Sequence, residues 1–156
     1  MLVKQISVFV QNKPGRLSQI TRLMAENGID IRAISISDTV DFGILRLIVN
    51  DPEKCEKVLK ENGFTVSITN VIAVGITYEP GSLAQVFALA DEKGINIEYV
   101  YAFISHTTQD ACIIMRVAEG SRAAKVLAEN GIKVLSAEDV YRFLRRRIYC
   151  WQGHFS

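Results

Sequence analysis

Two short motifs occur twice in this sequence and decide its fold. Residues 12–17 read NKPGRL and residues 27–31 read NGIDI; 66 positions later, residues 78–83 read YEPGSL and residues 93–97 read KGINI. From the first Pro-Gly to the end of NGIDI, nine of 18 positions are identical to their counterparts at this offset. The chain is therefore an internal duplication.

Each repeat has the pattern of strand, helix, strand, strand, helix and strand. After the predicted hairpin the offset becomes 68, and seven of the ten positions from 57 to 66 are identical. This element order is the ferredoxin-like α+β arrangement, an antiparallel sheet with helices on one face. We predict repeat 1 over residues 1–70, repeat 2 over 71–137, and a C-terminal helix and tail over 138–156. Because the linking segment 69–71 is short, the strands on either side of it are expected to be nearly continuous.

Composition places the chain among ordinary globular proteins. Its 156 residues are 49% hydrophobic and 22% charged, with a net charge of +1, which excludes a disordered charged polymer. The longest run of apolar residues and glycine, 71–76, is far shorter than the roughly 20 residues that a membrane helix needs. No secretory signal is recognisable, and Cys55 and Cys112 lie in apolar patterns that predict reduced, buried thiols. We therefore expect a cytoplasmic protein with no membrane partner.

The residue chemistry argues against catalysis, metal binding and nucleic-acid recognition. No Ser-His-Asp, Cys-His or carboxylate pair recurs in both repeats, so we predict no enzymatic activity and no cofactor. His106 and His154 lack metal-site spacing to any cysteine, and His106 is expected to be exposed in a hairpin turn. The predicted middle strands carry no aromatic residue to stack on bases. The arginines at 145–147 are expected to be solvated charge on the C-terminal helix, so no nucleic-acid partner is predicted.

The paired motifs resemble the signature of the ACT domain, a small regulatory module that binds amino acids. The resemblance rests on NKPGRL with NGIDI and on YEPGSL with KGINI, and it covers residues 3–137. Repeat 1 departs from the family pattern at Asp30, where Asn is common, and repeat 2 departs at Glu79, which replaces a polar-then-basic pair. The resemblance implies a stand-alone pair of regulatory ACT repeats without a catalytic domain.

The chemistry of the motif suits an amino-acid ligand. A Pro-Gly turn delivers unpaired backbone N–H groups at the start of a helix, where the helix dipole favours a carboxylate. Asp30 or Asn96 could accept from the ammonium group of the same ligand; the alternative for both is a side chain that caps a turn. We expect the stronger site in repeat 1, because Glu79 repels a carboxylate. Leu17 and Leu83 are expected to anchor their loops in the core.

These expectations define a candidate site and two hypotheses of function. The predicted ligand-binding residues are Asn12, Lys13, Pro14, Gly15, Arg16, Leu17, Asp30 and Ile31 in repeat 1, and Glu79, Gly81, Ser82, Leu83, Asn96 and Ile97 in repeat 2. The favoured hypothesis is a non-catalytic sensor that binds a free amino acid, or a similar small carboxylate, at an interface of ACT repeats. The alternative is a ligand-free adaptor that associates with a metabolic enzyme. One sheet face without helices also predicts a homodimer.

Overall fold

A computed structural model describes residues 1–38, 41–104 and 110–145 of the chain. The strands are β1 (Val3–Gln11), β2 (Ile31–Asp38), β3 (Phe42–Val49), β4 (Thr65–Thr77), β5 (Ile97–Ile104), β6 (Asp110–Val117) and β7 (Lys133–Leu135). The helices are α1 (Arg16–Glu26), α2 (Pro52–Glu61), α3 (Ser82–Glu92), α4 (Gly120–Glu129) and α5 (Ala137–Arg145). His106, predicted to be exposed, and the arginines at 146 and 147, predicted to be solvated, lie outside the described residues, as does His154.

The chain divides into two compact units, and the first, Lys4–Thr69, is called the repeat 1 unit. Its strands have the order β2-β3-β1-β4, and β3 pairs antiparallel with both β1 and β2. Helices α1 and α2 bury Met24 and Leu59 in one cluster with Val8 and Leu47 of the sheet. Since these two strand residues lie on the same face of the pleat, both helices cover that face. This is the predicted ferredoxin-like arrangement.

Local sequence explains where helix α2 of the repeat 1 unit begins. The Asp51 side chain accepts a hydrogen bond from the Lys54 backbone N–H at 3.1 Å, and Pro52 occupies the first helical position. Asp at the cap satisfies a donor that the helix itself leaves unpaired, and proline loses nothing there because that N–H has no helical partner.

The second compact unit comprises Met1–Val3 and the chain from Asn70 onward, and is called the repeat 2 unit. Strand β6 pairs antiparallel with β4 and β5, and β7 pairs with β4. Ile72, Ile113, Val86 and Leu127 belong to its core, so α3 and α4 pack on one face of this sheet as well. The predicted continuity at the link is confirmed, since β4 is a single strand.

The C-terminal helix α5 belongs to the repeat 2 unit. It contacts β7, and its Val140 is fully buried. Ser136 and Asp139 cap its start reciprocally: the Asp139 N–H donates to Ser136 Oγ at 3.1 Å, and the Ser136 N–H donates to Asp139 Oδ2 at 3.0 Å. These two bonds satisfy donors at the helix start.

Candidate functional site

The β1–α1 loop of repeat 1 presents backbone donors at a helix start. Gly15 has φ +87°, and no side chain caps α1. The first helical hydrogen bond runs from the Gln19 N–H to the Gly15 carbonyl at 2.9 Å. Within the described part of the chain, the N–H groups of Leu17 and Ser18 have no hydrogen-bond acceptor. The predicted unpaired donors are therefore present, and the binding of an anion to them stays a prediction.

The left-handed glycine is needed for its backbone conformation. A Cβ at Gly15 or at Gly81 would meet no atom within 4 Å. Their φ angles of +87° and +94°, however, lie in the left-handed region, where the backbone of any residue with a Cβ is strained. Glycine is therefore required in these loops for its backbone conformation and not because a neighbouring group leaves no room for a side chain.

Arg16 places a cation beside these backbone donors. Its Nη1 donates to Gln19 Oε1 at 3.1 Å, and its Nη2 donates to Gln11 Oε1 at 3.2 Å. Both partners are neutral amides, and no acidic side chain pairs with Arg16 among the described residues. Within the part of the chain that the structure describes, no acid therefore compensates the charge of this guanidinium.

Two open cavities adjoin Arg16, and both are also lined by Gln11 and Phe42. The first, about 90 Å³, includes Lys13 and Leu17 in its lining. The second, about 210 Å³, extends toward the end of α2 and is lined there by residues 62–65. Phe42 stacks on Phe9 with ring centroids 4.8 Å apart. The surroundings of Arg16 thus combine positive charge, amide groups and exposed aromatic surface.

Leu17 and Leu83 do not anchor their loops in the core, contrary to the prediction. Their exposed fractions are 43% and 38%, whereas Ile20 and Val86, one turn further along each helix, are buried. The buried stripe of each helix therefore begins at these later positions. Leu17 instead lines the smaller cavity of the loop.

The second half of the predicted repeat 1 site lies at the opposite end of the unit. Gln11 is paired with Phe42, beside the β2–β3 hairpin, whereas Ile31 is paired with Val49 at the far end of the same strands. Helix α1 separates Gly15 from Asp30, and its 11 residues span about 16 Å. A single amino acid in this repeat cannot touch both, which corrects the expectation that it would.

Asp30 is already engaged at that far end. Its carboxylate pairs with Arg32 Nη2 at 2.9 Å, and its backbone N–H donates to Asn50 Oδ1 at 2.8 Å. The Asp30 carboxylate is thus paired with a cation of its own strand, which is neither the ligand contact nor the turn cap that the sequence predicted.

The other predicted residues of repeat 1 shape its loop. The Asn12 N–H donates to the Asp41 carbonyl at 3.0 Å, and the Lys13 N–H donates to the Gln11 carbonyl at 2.8 Å. The Lys13 carbonyl accepts from the Arg16 N–H at a longer 3.4 Å. Pro14 lies in the exposed turn between Lys13 and Arg16. The loop is thus held by backbone bonds, which leave the Lys13 side chain exposed at its rim.

The matching loop of repeat 2 lacks the cation. Ser82 stands where repeat 1 has Arg16, and Glu79 is exposed beside it. The Ser82 N–H donates to the Glu79 carbonyl at 3.2 Å. Asn96 and Ile97 lie at the far end of this unit, since Ile97 pairs with Val117 while Thr77, just before the loop, pairs with Asp110. The structure does not bring the two halves of the predicted repeat 2 site together.

Sequence reasoning missed several of the residues that line the cavities of the two repeats. Gln11 and Phe42 enter the repeat 1 site, and Glu119 and Arg122 line a cavity beside Asn96. Arg16 was among the predicted residues, and its replacement by Ser82 is a sequence difference that distinguishes the two loops.

The described residues contain no group of three or more His, Cys, Asp or Glu side chains placed to hold a metal ion. None of their helices has the length and apolar character that crossing a membrane requires.

Comparison with known proteins identifies the family. The family model of the ACT domain pair matches residues 1–144. The chain belongs to this family. The match confirms the resemblance found in the two motifs. The ACT domain is a regulatory module. No curated protein matches the chain.

Several solved structures share this fold. A crystal structure of a protein from Bacteroides thetaiotaomicron has 39% sequence identity and a TM-score of 0.84, covering 90% of this chain and 96% of the other. The ligand-free regulatory subunit of aspartate kinase from Thermus thermophilus has 17% identity and a TM-score of 0.60, covering 82% and 93%. The corresponding subunit from Thermus flavus has 16% identity and a TM-score of 0.56, covering 93% and 92%. The ACT pair therefore has the ferredoxin-like fold of these proteins.

Proposed function

We propose that this ACT pair is a non-catalytic sensor that binds a free amino acid, or a similar small carboxylate, at the β1–α1 loop of repeat 1. One observation carries the proposal: the Arg16 guanidinium adjoins two cavities, and its partners among the described residues are neutral amides. A cation without an acidic partner, next to unpaired N–H groups of a helix start, is a setting suited to a carboxylate.

In this proposal the ligand carboxylate lies between the Arg16 guanidinium and the N–H groups of Leu17 and Ser18. The rest of the ligand lies against Phe42 and Leu17, which are both partly exposed. An amino acid has about ten non-hydrogen atoms, so we expect a Kd between micromolar and millimolar. That range suits a sensor of a metabolite pool.

We propose that the ligand-bearing surface is completed by a second copy of the chain. Ile36 and Phe42 border the smaller cavity and are exposed to 51% and 37%, so apolar surface surrounds the charged loop. Covering it would place the ligand between ACT repeats of two chains and exclude water from the Arg16 contact. Light scattering should then give about twice the 17.4 kDa of one chain; a monomer at micromolar concentration would contradict the dimer.

The two Thermus proteins are regulatory subunits of aspartate kinase. As part of the proposal, we infer that this chain also has a regulatory role and that its partner is a metabolic enzyme. We also place the protein in the cytoplasm. Cys55 and Cys112 are free and buried, which suits a reducing compartment.

A thermal-shift screen against the twenty amino acids tests the sensor proposal. A ligand at 100 times its Kd stabilises the native state by about 2.7 kcal/mol, which should raise the Tm by about 5–11 °C for a chain of this size. The responding ligand should lose most of its effect on the Arg16→Gln variant. If no amino acid raises the Tm at millimolar concentration, the sensor proposal fails and the ligand-free adaptor takes its place.

A further inference from the structure

The β1–α1 loop of repeat 1 and the β4–α3 loop of repeat 2 have the same backbone bonding but opposite charge. The Lys13 N–H donates to the carbonyl of the last residue of β1 at 2.8 Å, and the Glu79 N–H donates to that of the last residue of β4 at 2.9 Å. Since Glu79 lies 66 positions after Lys13, one duplicated position is a cation in repeat 1 and an anion in repeat 2. Residues 12–17 are called the cationic loop, and residues 78–83 the anionic loop.

Two further differences extend this reversal of charge. Arg16 adds a second cation to the cationic loop, whereas Ser82 takes its place in the anionic loop. Beside the loops, Phe42 begins β3 and Asp110 begins β6, and each is paired with the last residue of the strand that precedes its loop. An aromatic ring beside the cationic loop is thus replaced by a second anion beside the anionic loop.

The charges at positions 13 and 79 have no ion-pair partner in the part of the chain that the structure describes. Lys13 and Glu79 are both exposed, and neither forms an ion pair there. Asp41, whose carbonyl accepts from the Asn12 N–H at 3.0 Å, is exposed next to the cationic loop, but its carboxylate pairs with no cation among these residues. Both side chains can therefore meet a charged group of another molecule.

Each loop also exposes apolar surface next to its charge. Leu17, Phe9 and Phe42 are exposed in or beside the cationic loop, and Tyr78 and Leu83 are exposed in the anionic loop. Exposed aromatic and aliphatic groups beside charged residues are typical of protein–protein interfaces. In such interfaces the apolar groups contribute affinity, and the charges determine the partner and the register.

We propose that the two loops are complementary halves of one contact between copies of this chain, so that the cationic loop of one copy docks on the anionic loop of the other. The partner's Glu79 pairs with Lys13, which leaves Arg16 to the ligand, and the partner's Tyr78 lies against Phe42. Because each chain has both loops, the contact occurs twice and closes a two-fold symmetric dimer. This inference rests on the part of the proposed function that places a second copy over the charged loop, and it needs no ligand.

Charge disfavours the two other pairings of these loops. Two cationic loops that face each other would bring Lys13 and Arg16 close to the same cations of the second copy, and two anionic loops would place Glu79 close to Glu79. Like charges across an interface cost free energy, and specific interfaces use this cost against wrong pairings. The unlike pairing is the one in which both loops gain an opposite charge.

Exchanging the two charged residues between the loops tests the inference. Lys13→Glu and Glu79→Lys each introduce the residue that the other repeat has at this position, so both loops should keep their fold. In a dimer of either variant, positions 13 and 79 carry like charges at both contacts. The dimer Kd should therefore rise about tenfold for each contact and about 100-fold in total, as measured by sedimentation equilibrium.

An equimolar mixture of the two variants is the decisive sample. In a heterodimer, Glu at position 13 of one chain meets Lys at position 79 of the other, and Lys at position 13 meets Glu at position 79. Unlike charges then meet at both contacts, so the mixture should form a heterodimer with the parent's affinity. Native mass spectrometry with one variant labelled with ¹⁵N identifies this heterodimer by its mass.

Lys54→Glu is the matched control for overall charge. Lys54 is exposed at the start of α2 and has no ion pair among the described residues, and its replacement changes the net charge as Lys13→Glu does. The dimer Kd of this variant should equal that of the parent. If Lys54→Glu weakens the dimer as much as Lys13→Glu does, the effect is one of net charge and the inference is overturned.

The other outcomes separate this inference from the proposed function. If both loop variants dimerise as the parent does, or if their mixture stays monomeric, the pairing of these loops is wrong while the dimer of the proposed function stands. A tighter dimer of Lys13→Glu would show that two cationic loops face each other, which also overturns the inference. A monomeric parent overturns both this inference and the proposed dimer, whereas the sensor proposal is decided by the thermal-shift screen alone.

Discussion

Replacing Arg16 by glutamine should separate ligand binding from folding in this ACT pair. Glutamine keeps an amide donor near Gln11 and Gln19 but removes the positive charge that we assign to the ligand carboxylate. A hydrogen bond to a charged group contributes about 1.5–3 kcal/mol, so the Kd should rise about 10- to 150-fold. Calorimetric titration with the amino acid selected by the thermal-shift screen measures this directly.

The free protein should be nearly unaffected by the same change. Arg16 bonds two exposed neutral amides, and surface substitutions of this kind usually change stability by less than about 0.5 kcal/mol. The Tm without ligand should therefore stay within about 2 °C of the parent. Arg22→Gln, an exposed arginine on the same helix, is the matched control and should leave both Kd and Tm unchanged.

Two results would refute this reasoning. If Arg16→Gln and Arg22→Gln bind the ligand as tightly as the parent does, the cation is not the carboxylate partner. If Arg22→Gln weakens binding as much as Arg16→Gln, the effect is one of overall charge, and Arg16 is not a specific partner of the carboxylate.

Three further predictions follow from local geometry. Gly15→Ala should lower stability by about 1–2 kcal/mol, seen as a lower denaturation midpoint, because its φ of +87° strains any Cβ even though nothing blocks it; an unchanged midpoint would contradict the left-handed turn. Burial raises the pKa of Cys55 to about 11 and that of Cys112 to about 12, so both native thiols should resist alkylation at pH 8 and react only on unfolding. Hydrogen bonds from Ser136 hold the pKa of Asp139 below its usual value; this carboxylate therefore supports the start of α5 above the unfolded pKa, and the support is lost as the pH falls through the lowered folded pKa. Carboxyl NMR should show Asp139 titrating at lower pH in the parent than in Ser136→Ala.

The fold could be predicted from sequence because its determinants are local. Apolar periodicity marks the helices and strands, Asp51 with Pro52 marks the start of α2, and the duplication doubles each of these signals. The same local chemistry identified the β1–α1 loop as a place where backbone donors are unpaired.

The grouping of residues into sites depended on tertiary structure. The Pro-Gly loop and Asp30 are close in sequence, yet helix α1 carries the chain from one end of the sheet to the other between them, so they lie far apart. The partners of Arg16 come from β1 and α1. Phe42, which lies near them, begins β3, and it is the pairing register of β1 with β3 that places Phe42 opposite Gln11.

The start of the second strand in each repeat shows the same division. The sequence alone determines that Ala118 replaces Asn50 at the offset of 68. Only the folded chain shows that Asn50 reaches across to the Asp30 N–H, and that among the described residues the Asn96 N–H has no such acceptor. Propensity and turn chemistry act between neighbours along the chain and can be read from it. A binding site is formed by groups that are distant in sequence, and the pairing of strands decides which of them meet.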